Sequence, residues 1–266
     1  MTQPIFEVIT MCAIICYVAI CGIFIRDVCA IDSTVDIHSL KSAGGRNFAT
    51  YILPGLLSPK MEEFQTCARK LPGNVYYVNY GCPTIFSEKY IAAQVLSHIQ
   101  NHRYTKVEFV SFAMGTKIAY ELSNSDDYDS RSYFLNPATR SYMLKWYVRL
   151  PLVILLPVCA LIVFFVPFIS AIKFIKINGV KHSLLELLSG GFSLAYDELN
   201  CNFTCSKGAS IVISKYDKLL NNEKILDAIS IKMLRKKRVE IIDTKHARIY
   251  DKYQAALKKL GAFDSF

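Results

Sequence analysis

Short β-rich segments alternate with helical segments along most of the chain, from about residue 47 to residue 262. This alternation predicts an α/β fold, with a mainly parallel sheet covered by helices on both faces. In such sheets, reactive groups collect at the carboxyl ends of the strands. The predicted strands span residues 48–55, 74–81, 106–112, 132–138, 209–217 and 238–246, and the predicted helices span residues 87–102, 115–125, 223–237 and 247–260.

An uncharged apolar segment lies near the N-terminus, at residues 8–25. Its length suits a helix that crosses a bilayer, and the mean hydropathy of +0.26 also favours membrane contact. Basic residues follow the segment and none precedes it, so the positive-inside rule places the rest of the chain on the cytoplasmic side. We therefore predict a single membrane anchor at residues 1–26 and a polar linker at residues 27–46. A cleaved signal peptide or a buried core helix is the alternative.

Charge and metal-ligating residues limit the possible partners. The net charge is +9, but no nucleic-acid recognition motif accompanies it, so no nucleic-acid partner is predicted. The nine cysteines form no disulfide framework, which is consistent with a reducing compartment. His98 and His102 have the spacing of two metal ligands on one helix face, but no third ligand is evident. We predict that they are surface residues, that the chain holds neither metal nor cofactor, and we leave its oligomeric state open.

Three loops that follow predicted strands carry residues suited to hydrolytic chemistry. The first is SFAMG, in which the small residues Ser111 and Gly115 permit a sharp strand-to-helix turn around Ala113. Asp217 follows the fifth predicted strand, and His246 follows the sixth. The carboxyl ends of parallel strands meet at one edge of a sheet, so we expect these loops to lie together.

The stretches SFAMGTKIAYEL, ISKYDKLLNNE and DTKHARI resemble the α/β-hydrolase family of serine esterases, lipases and peptidases, over residues 47–262. The resemblance implies an α/β-hydrolase fold whose core comprises residues 47–139 and 208–266. It also implies catalytic roles by position. Ala113 would occupy the place of the nucleophile, Asp217 that of the acid and His246 that of the base.

The same resemblance implies an oxyanion hole formed by the backbone amides of Met114 and Leu56. Leu56 belongs to the segment LPGLLSP, where Pro54 stands in place of the histidine usual in the family. The more serious departure is Ala113, which has no nucleophilic atom, so we expect the protein as written to be inactive. Two explanations stay open: an engineered Ser-to-Ala change, or a natural pseudohydrolase that binds a lipid or a membrane partner. Ser111 is a poor substitute, because it lies at the end of the strand.

A second apolar run, residues 150–172, lies within a predicted insertion at residues 140–207, where this family commonly carries a lid. A single bilayer crossing there would put the strands before and after it on opposite sides of the membrane, and the sheet could not close. We therefore predict a re-entrant or interfacial lid, the alternative being a lid that packs only on the protein. The expected partners are membrane lipid and a small ester or acyl substrate, with a peptidase or amidase scaffold as a further alternative.

Overall fold

The computed structural model describes residues 35–44, 47–55, 61–69, 71, 73–80, 88–139, 141–150, 175–177, 180–182, 209–229 and 238–244. Within these ranges, Ser141–Met143 form a 3₁₀ turn and residues 146–150 are helical. The elements with both ends described are nine strands and four α-helices. In chain order they are β1 (Val35–Lys41), β2 (Phe48–Leu53), α1 (Met61–Ala68), β3 (Asn74–Tyr80), α2 (Glu88–Asn101), β4 (Lys106–Phe112), α3 (Gly115–Ser123), β5 (Asp129–Leu135), β6 (Ile175–Ile177), β7 (Val180–His182), β8 (Ala209–Ser214), α4 (Asn222–Asp227) and β9 (Val239–Ile242).

Seven of the strands form one sheet in the order β1-β3-β2-β4-β5-β8-β9. Every neighbouring pair is parallel except β1 and β3, which pair in antiparallel fashion at one edge. The short strands β6 and β7 form a separate antiparallel hairpin. The predicted mainly parallel sheet is confirmed.

The central strands are buried on both faces because each face packs against helices. On one face, Ile91 of α2 and Ile118 of α3 belong to a cluster that includes Phe109 of β4. On the other face, Phe64 of α1 packs in a cluster with Phe112 of β4. The alternation of side chains along β4 sends successive residues into these two cores. Helices therefore cover both faces, as the sequence predicts.

The structure differs from the sequence prediction in several places. Strand β8 ends at Ser214 rather than at residue 217, and β9 ends at Ile242 rather than at residue 246. Val35–Lys41, within the predicted linker, form the edge strand β1, which pairs along β3 and stays half-exposed. Helix α1, which the sequence analysis did not identify, lies between β2 and β3. Strand β5 ends at Leu135 rather than at residue 138, because Asn136 adopts a left-handed conformation with φ of +47°.

No helix within the described ranges is long and apolar enough to cross a membrane. The predicted anchor at residues 8–25 lies outside the described residues, and so does the apolar run beyond Leu150. The prediction of an N-terminal membrane helix therefore stays a prediction.

Strand β4 carries a buried carboxyl group at Glu108, which is 1% exposed. Among the described residues, the hydroxyl of the adjacent Thr50 on β2 is also buried and has no hydrogen-bond partner. Burial raises the pKa of Glu108 to about 7, and the charge of Arg131 and a hydrogen bond from the Tyr133 side chain, both on β5, oppose this shift only in part. The carboxyl group is therefore poised to ionise near neutral pH, in an environment that disfavours its charge.

Replacing Glu108 by glutamine should make stability less dependent on pH. The folded-state pKa lies above the ordinary value of 4.5, so the protonated carboxyl stabilises the fold fully below pH 4.5. That contribution is lost as the pH rises through 7. We expect Glu108→Gln to raise the free energy of unfolding at pH 8 by about 1–3 kcal/mol, with little effect at pH 5. Urea unfolding of the detergent-solubilised protein, followed by circular dichroism, measures this difference.

The control for this experiment is Thr50→Val, which changes the same buried region without removing an ionisable group. It should retain the pH dependence of the wild type. Equal slopes of stability against pH for wild type and Glu108→Gln would contradict the assignment.

Candidate functional site

The turn between β4 and α3 is backbone-strained at Ala113, whose φ is +44°. Such a left-handed conformation costs a residue with a Cβ roughly 1 kcal/mol, so the surrounding structure must hold it. The Ala113 amide donates to the carbonyl of Leu135 at 2.9 Å. The Ala113 carbonyl accepts hydrogen bonds from the amides of Thr116 and Ala138, both at 3.2 Å. The backbone thus fixes residue 113 at the tip of the turn.

Two glycines allow the loop after β2 to pass close to this turn. A Cβ at Gly115 would overlap the carbonyl of Leu53 and lie 2.5 Å from that of Pro54. A Cβ at Gly55 would overlap the carbonyl of Phe112 and lie 2.9 Å from the Cβ of Ala113. Since neither position has room for a side chain, the loop and the turn are in direct backbone contact.

Met114 is the residue that precedes the first turn of α3, with φ of −64° and ψ of −28°. Backbone amides at a helix N-terminus have no partner within the helix, and they favour negative charge. The Met114 nitrogen lies 3.0 Å from where a Cβ on Gly55 would stand, so it is close to the loop after β2. Leu56, the other predicted oxyanion donor, lies outside the described residues.

Asp217, the predicted acid, follows β8 and is 2% exposed. One carboxylate oxygen accepts hydrogen bonds from the amides of Leu219 at 2.8 Å and Leu220 at 3.0 Å. The other accepts a hydrogen bond from the side-chain nitrogen of Asn136 at 3.0 Å. These donors satisfy a carboxylate away from water and fix its orientation.

Asn136 connects the acid to the strained turn. Its side-chain amide also donates to the Ser214 hydroxyl at 3.0 Å, and its side-chain oxygen accepts from the Ser214 amide at 2.7 Å. Leu135, directly before Asn136, and Ala138, two residues after it, are the residues that hydrogen-bond to Ala113. One short segment therefore binds residue 113 through its backbone and Asp217 through its side chain.

The structure thus brings Ala113, Met114, Gly115 and Asp217 to the same edge of the sheet, at the carboxyl ends of β4 and β8. Ser111 is fully buried, and its hydroxyl donates to the carbonyl of Tyr133 at 3.4 Å, an arrangement that leaves it in the core rather than at the edge.

The chain after β9 returns to this edge, because the carbonyl of Thr244 accepts a hydrogen bond from the amide of Tyr216 at 3.1 Å. Tyr216 directly precedes Asp217 in the sequence. His246, the predicted base, comes two residues after Thr244 and lies outside the described residues. Its role as a base stays a prediction.

His98 is not a simple surface residue, contrary to the sequence prediction. It is half-buried on α2, its Nδ1 lies 2.8 Å from the hydroxyl of Tyr51, and its ring stacks on that of His102. Burial and the neighbouring His102 lower the pKa of His98 to about 4, which favours the neutral ring. No cluster of metal-ligating side chains occurs among the residues that the structure describes.

Sequence analysis missed Asn136, because its segment reads as the end of a β-strand. The signal available was the dipeptide Asn136-Pro137, a pair that marks turns. Asparagine also tolerates the left-handed conformation better than most residues do.

Substitutions of Asn136 should separate its side-chain bonds from its backbone conformation. Asn136→Ala leaves the Ser214 amide and one Asp217 oxygen without this partner and adds left-handed strain. Asn136→Gly loses the same bonds without the strain. We expect both variants to be destabilised by about 1–3 kcal/mol, and the alanine variant by roughly 1 kcal/mol more than the glycine variant. Urea unfolding measures both values, and equal stability of wild type and Asn136→Gly would show that the bonds contribute nothing.

Comparison with known proteins gives matches in structure but none in sequence. No family model matches the chain, and no curated protein matches it. Among solved structures, it is similar to an enol-lactonase from Burkholderia xenovorans LB400 (TM-score 0.57, 12% identity, 87% of this chain and 96% of that chain). It is also similar to a lipase-esterase related protein from Clostridium acetobutylicum ATCC 824 (TM-score 0.60, 11% identity, 86% and 99%). A third is an α/β hydrolase enzyme from a Medee basin deep-sea metagenome library (TM-score 0.58, 11% identity, 88% and 96%).

These matches extend over nearly the whole length of each solved structure, although few residues are identical. The chain therefore has the fold of the α/β-hydrolase superfamily.

Proposed function

We propose that this protein carries the scaffold of a serine esterase acting on a lipid-like ester, and that Ala113 makes it inactive as written. The observation that supports this most directly is the strained turn at Ala113, because the left-handed backbone there projects residue 113 from the end of a strand. Strain of this size persists only where the surrounding structure holds it. A nucleophile on a sharp turn is a structural reason to maintain it.

The proposed roles rest on the edge of the sheet at which Ala113, Met114 and Asp217 lie, and on the sequence positions of His246 and Leu56. A serine at position 113 would attack an ester carbonyl, with His246 accepting its proton and later returning it to the leaving alcohol. Asp217 would hold the imidazole in the required tautomer, and hydrogen bonds from Asn136, Leu219 and Leu220 fix the orientation of its buried carboxylate. The amides of Met114 and Leu56 would stabilise the negative charge that develops on the carbonyl oxygen.

Membrane association is the second part of the proposal, and its basis is the sequence. The apolar segment at residues 8–25 has the length of a membrane helix, and the run at residues 150–172 lies in the insertion between β5 and β8. A lid in contact with lipid would let a substrate dissolved in the bilayer reach the edge of the sheet without crossing water. This is why we favour a lipid-like ester over a soluble one.

The competing function is that of a natural pseudohydrolase, which binds a lipid or a membrane partner at the same edge without turnover. Ala113 itself favours this reading, because covalent catalysis needs a nucleophilic atom at that position. The codon for residue 113 in the native gene separates a natural alanine from an engineered one. A peptidase or amidase scaffold is distinguished by the substrates that a restored enzyme accepts.

Restoring the nucleophile tests the scaffold directly. We expect Ala113→Ser to hydrolyse p-nitrophenyl esters at least roughly 10³-fold faster than the protein as written, because a triad acts as a unit. A longer acyl chain should be preferred over acetate if the substrate is lipid-like. A fluorophosphonate probe should label the variant covalently, which measures the nucleophile independently of the substrate.

The matched controls are Ala113→Ser combined with His246→Ala or with Asp217→Asn. Each should lose most of the restored activity, and the Asp217→Asn variant should lose about 10³-fold to 10⁴-fold in kcat. If folded Ala113→Ser neither reacts with the probe nor hydrolyses any ester, the pseudohydrolase function is the correct one.

Removing residues 1–26 tests the contribution of the second apolar run to membrane association. The truncated protein should remain partly in the membrane fraction, because the lid is proposed to contact lipid without the anchor. Ultracentrifugation of cell lysates measures the distribution, with carbonate washing to remove loosely bound protein. Complete recovery in the supernatant, with a circular dichroism spectrum that still shows a folded α/β protein, would leave the anchor as the sole membrane element.

A further inference from the structure

We propose that an aromatic and basic surface beside Asp217 docks the folded domain on an anionic lipid bilayer. This interfacial patch consists of the exposed side chains of two short segments, residues 145–150 and 215–218. Its apolar members are exposed to an unusual degree for large side chains: Trp146 is 75% exposed, Leu150 53%, Tyr216 53% and Tyr147 47%. Its exposed basic members are Arg149, Lys215 and Lys218, and Lys145 lies half-buried beside them.

The two segments form one surface because hydrogen bonds join them. The Lys145 amide donates to the carbonyl of Leu219 at 2.9 Å, and its ammonium group donates to the carbonyl of Asp217 at 2.7 Å. The Tyr147 hydroxyl donates to the carbonyl of Lys218 at 2.5 Å. These bonds hold residue 145 and the Tyr147 ring against the segment that carries Asp217, and the Trp146 ring lies edge-on to that of Tyr147, with 6.0 Å between the ring centroids.

The anchoring of the patch extends into the core. Leu144 forms a β-bridge with Leu220. Both residues are buried and belong to the core cluster that also includes residues of helix α3. The exposed rings thus lie on a base that is fixed to the sheet, so their exposure does not result from a frayed end. A protein that keeps its one tryptophan three-quarters exposed on a rigid base presents it to something outside the fold.

The charge of the patch indicates what that partner is. Residues 141–150 and 215–220 contain four basic side chains and one acidic residue, Asp217, whose carboxylate is buried and hydrogen-bonded. The exposed charge is therefore positive only. Lysine and arginine beside tryptophan and tyrosine are typical of the boundary between bilayer and water, and anionic headgroups complement the charge.

The position of the patch in the chain supports the same partner. The patch ends at Leu150, the first residue of the apolar run at residues 150–172. Membrane contact by that run, which belongs to the proposed function, would bring the patch to the headgroup region. The docking inference rests on that membrane association but requires no hydrolytic activity. The patch is the part of the folded domain that would contact the bilayer.

Trp146 is the only tryptophan in the chain, so its fluorescence reports on the patch without labelling. The full-length protein is reconstituted into vesicles of phosphatidylcholine, either pure or containing phosphatidylserine. We expect the emission of Trp146 to shift to shorter wavelength and acrylamide quenching to fall severalfold as phosphatidylserine increases. Brominated lipids should quench the emission, and salt at 1 M should reverse the effect, because it shortens the Debye length to about 3 Å.

Charge variants identify the residues responsible. The double variant Lys215→Glu, Lys218→Glu should lose the dependence on phosphatidylserine and keep Trp146 accessible to acrylamide. The matched control is Lys106→Glu, an exposed lysine at the start of β4 and thus at the opposite edge of the sheet, which should behave like the wild type. Circular dichroism confirms that each variant is folded.

Vesicle flotation separates this inference from the membrane association on which it rests. If the protein floats with vesicles but Trp146 stays quenched by acrylamide in every composition, membrane association stands and the docking surface is overturned. If Trp146 is equally protected in detergent-free solution without vesicles, another protein surface covers the patch, and the inference is also overturned. If the protein does not float at all, both fail.

Discussion

The strained turn at Ala113 depends on a hydrogen-bonded contact with the segment that leaves β5. Leu135 accepts from the Ala113 amide, and the Ala138 amide donates to the Ala113 carbonyl, so both polar groups of the strained residue are satisfied. Because parallel strands deliver their carboxyl ends to the same edge, β4 and β5 can exchange these bonds only there. The left-handed turn is thus stabilised by the register of the sheet, and not by the identity of the side chain at residue 113.

This independence explains how a hydrolase scaffold can retain its geometry without a nucleophile. The hydrogen bonds that hold residue 113 in place involve its backbone, whereas Asp217 is held by its carboxylate, through the amides of Leu219 and Leu220 and the side chain of Asn136. Loss of a hydroxyl at residue 113 leaves every described bond intact. Loss of the carboxylate at residue 217 would leave buried donors without an acceptor, at a cost of about 1–3 kcal/mol for each. Stability therefore favours retention of the acid even in a protein that performs no hydrolysis.

The parts of the fold that sequence could predict are those that local pattern determines. Strand β4 occupies the predicted residues 106–112, because Val107, Phe109, Val110 and Phe112 make this segment β-rich and it ends before a turn that contains Gly115. Strand β1 alternates weakly and is specified mainly by its hydrogen bonds to β3, which local pattern does not encode. The role of Asn136 could not be predicted either, because its partners Ser214 and Asp217 are about eighty residues away in the chain.

The insertion after β5 leaves the core at the place where membrane contact and the site could influence each other. Lys145 binds the backbone of Asp217, while its neighbour Trp146 belongs to the exposed patch. The hydrogen bond from Lys145 to the Asp217 carbonyl and the Leu144–Leu220 bridge therefore connect the patch to the loop that contains Asp217. A displacement of the patch would be transmitted to that loop. A bilayer that fixed the patch would restrain this loop and lower the entropy cost of ordering the site. The same reasoning holds for a pseudohydrolase, in which the restrained loop would favour binding instead of turnover.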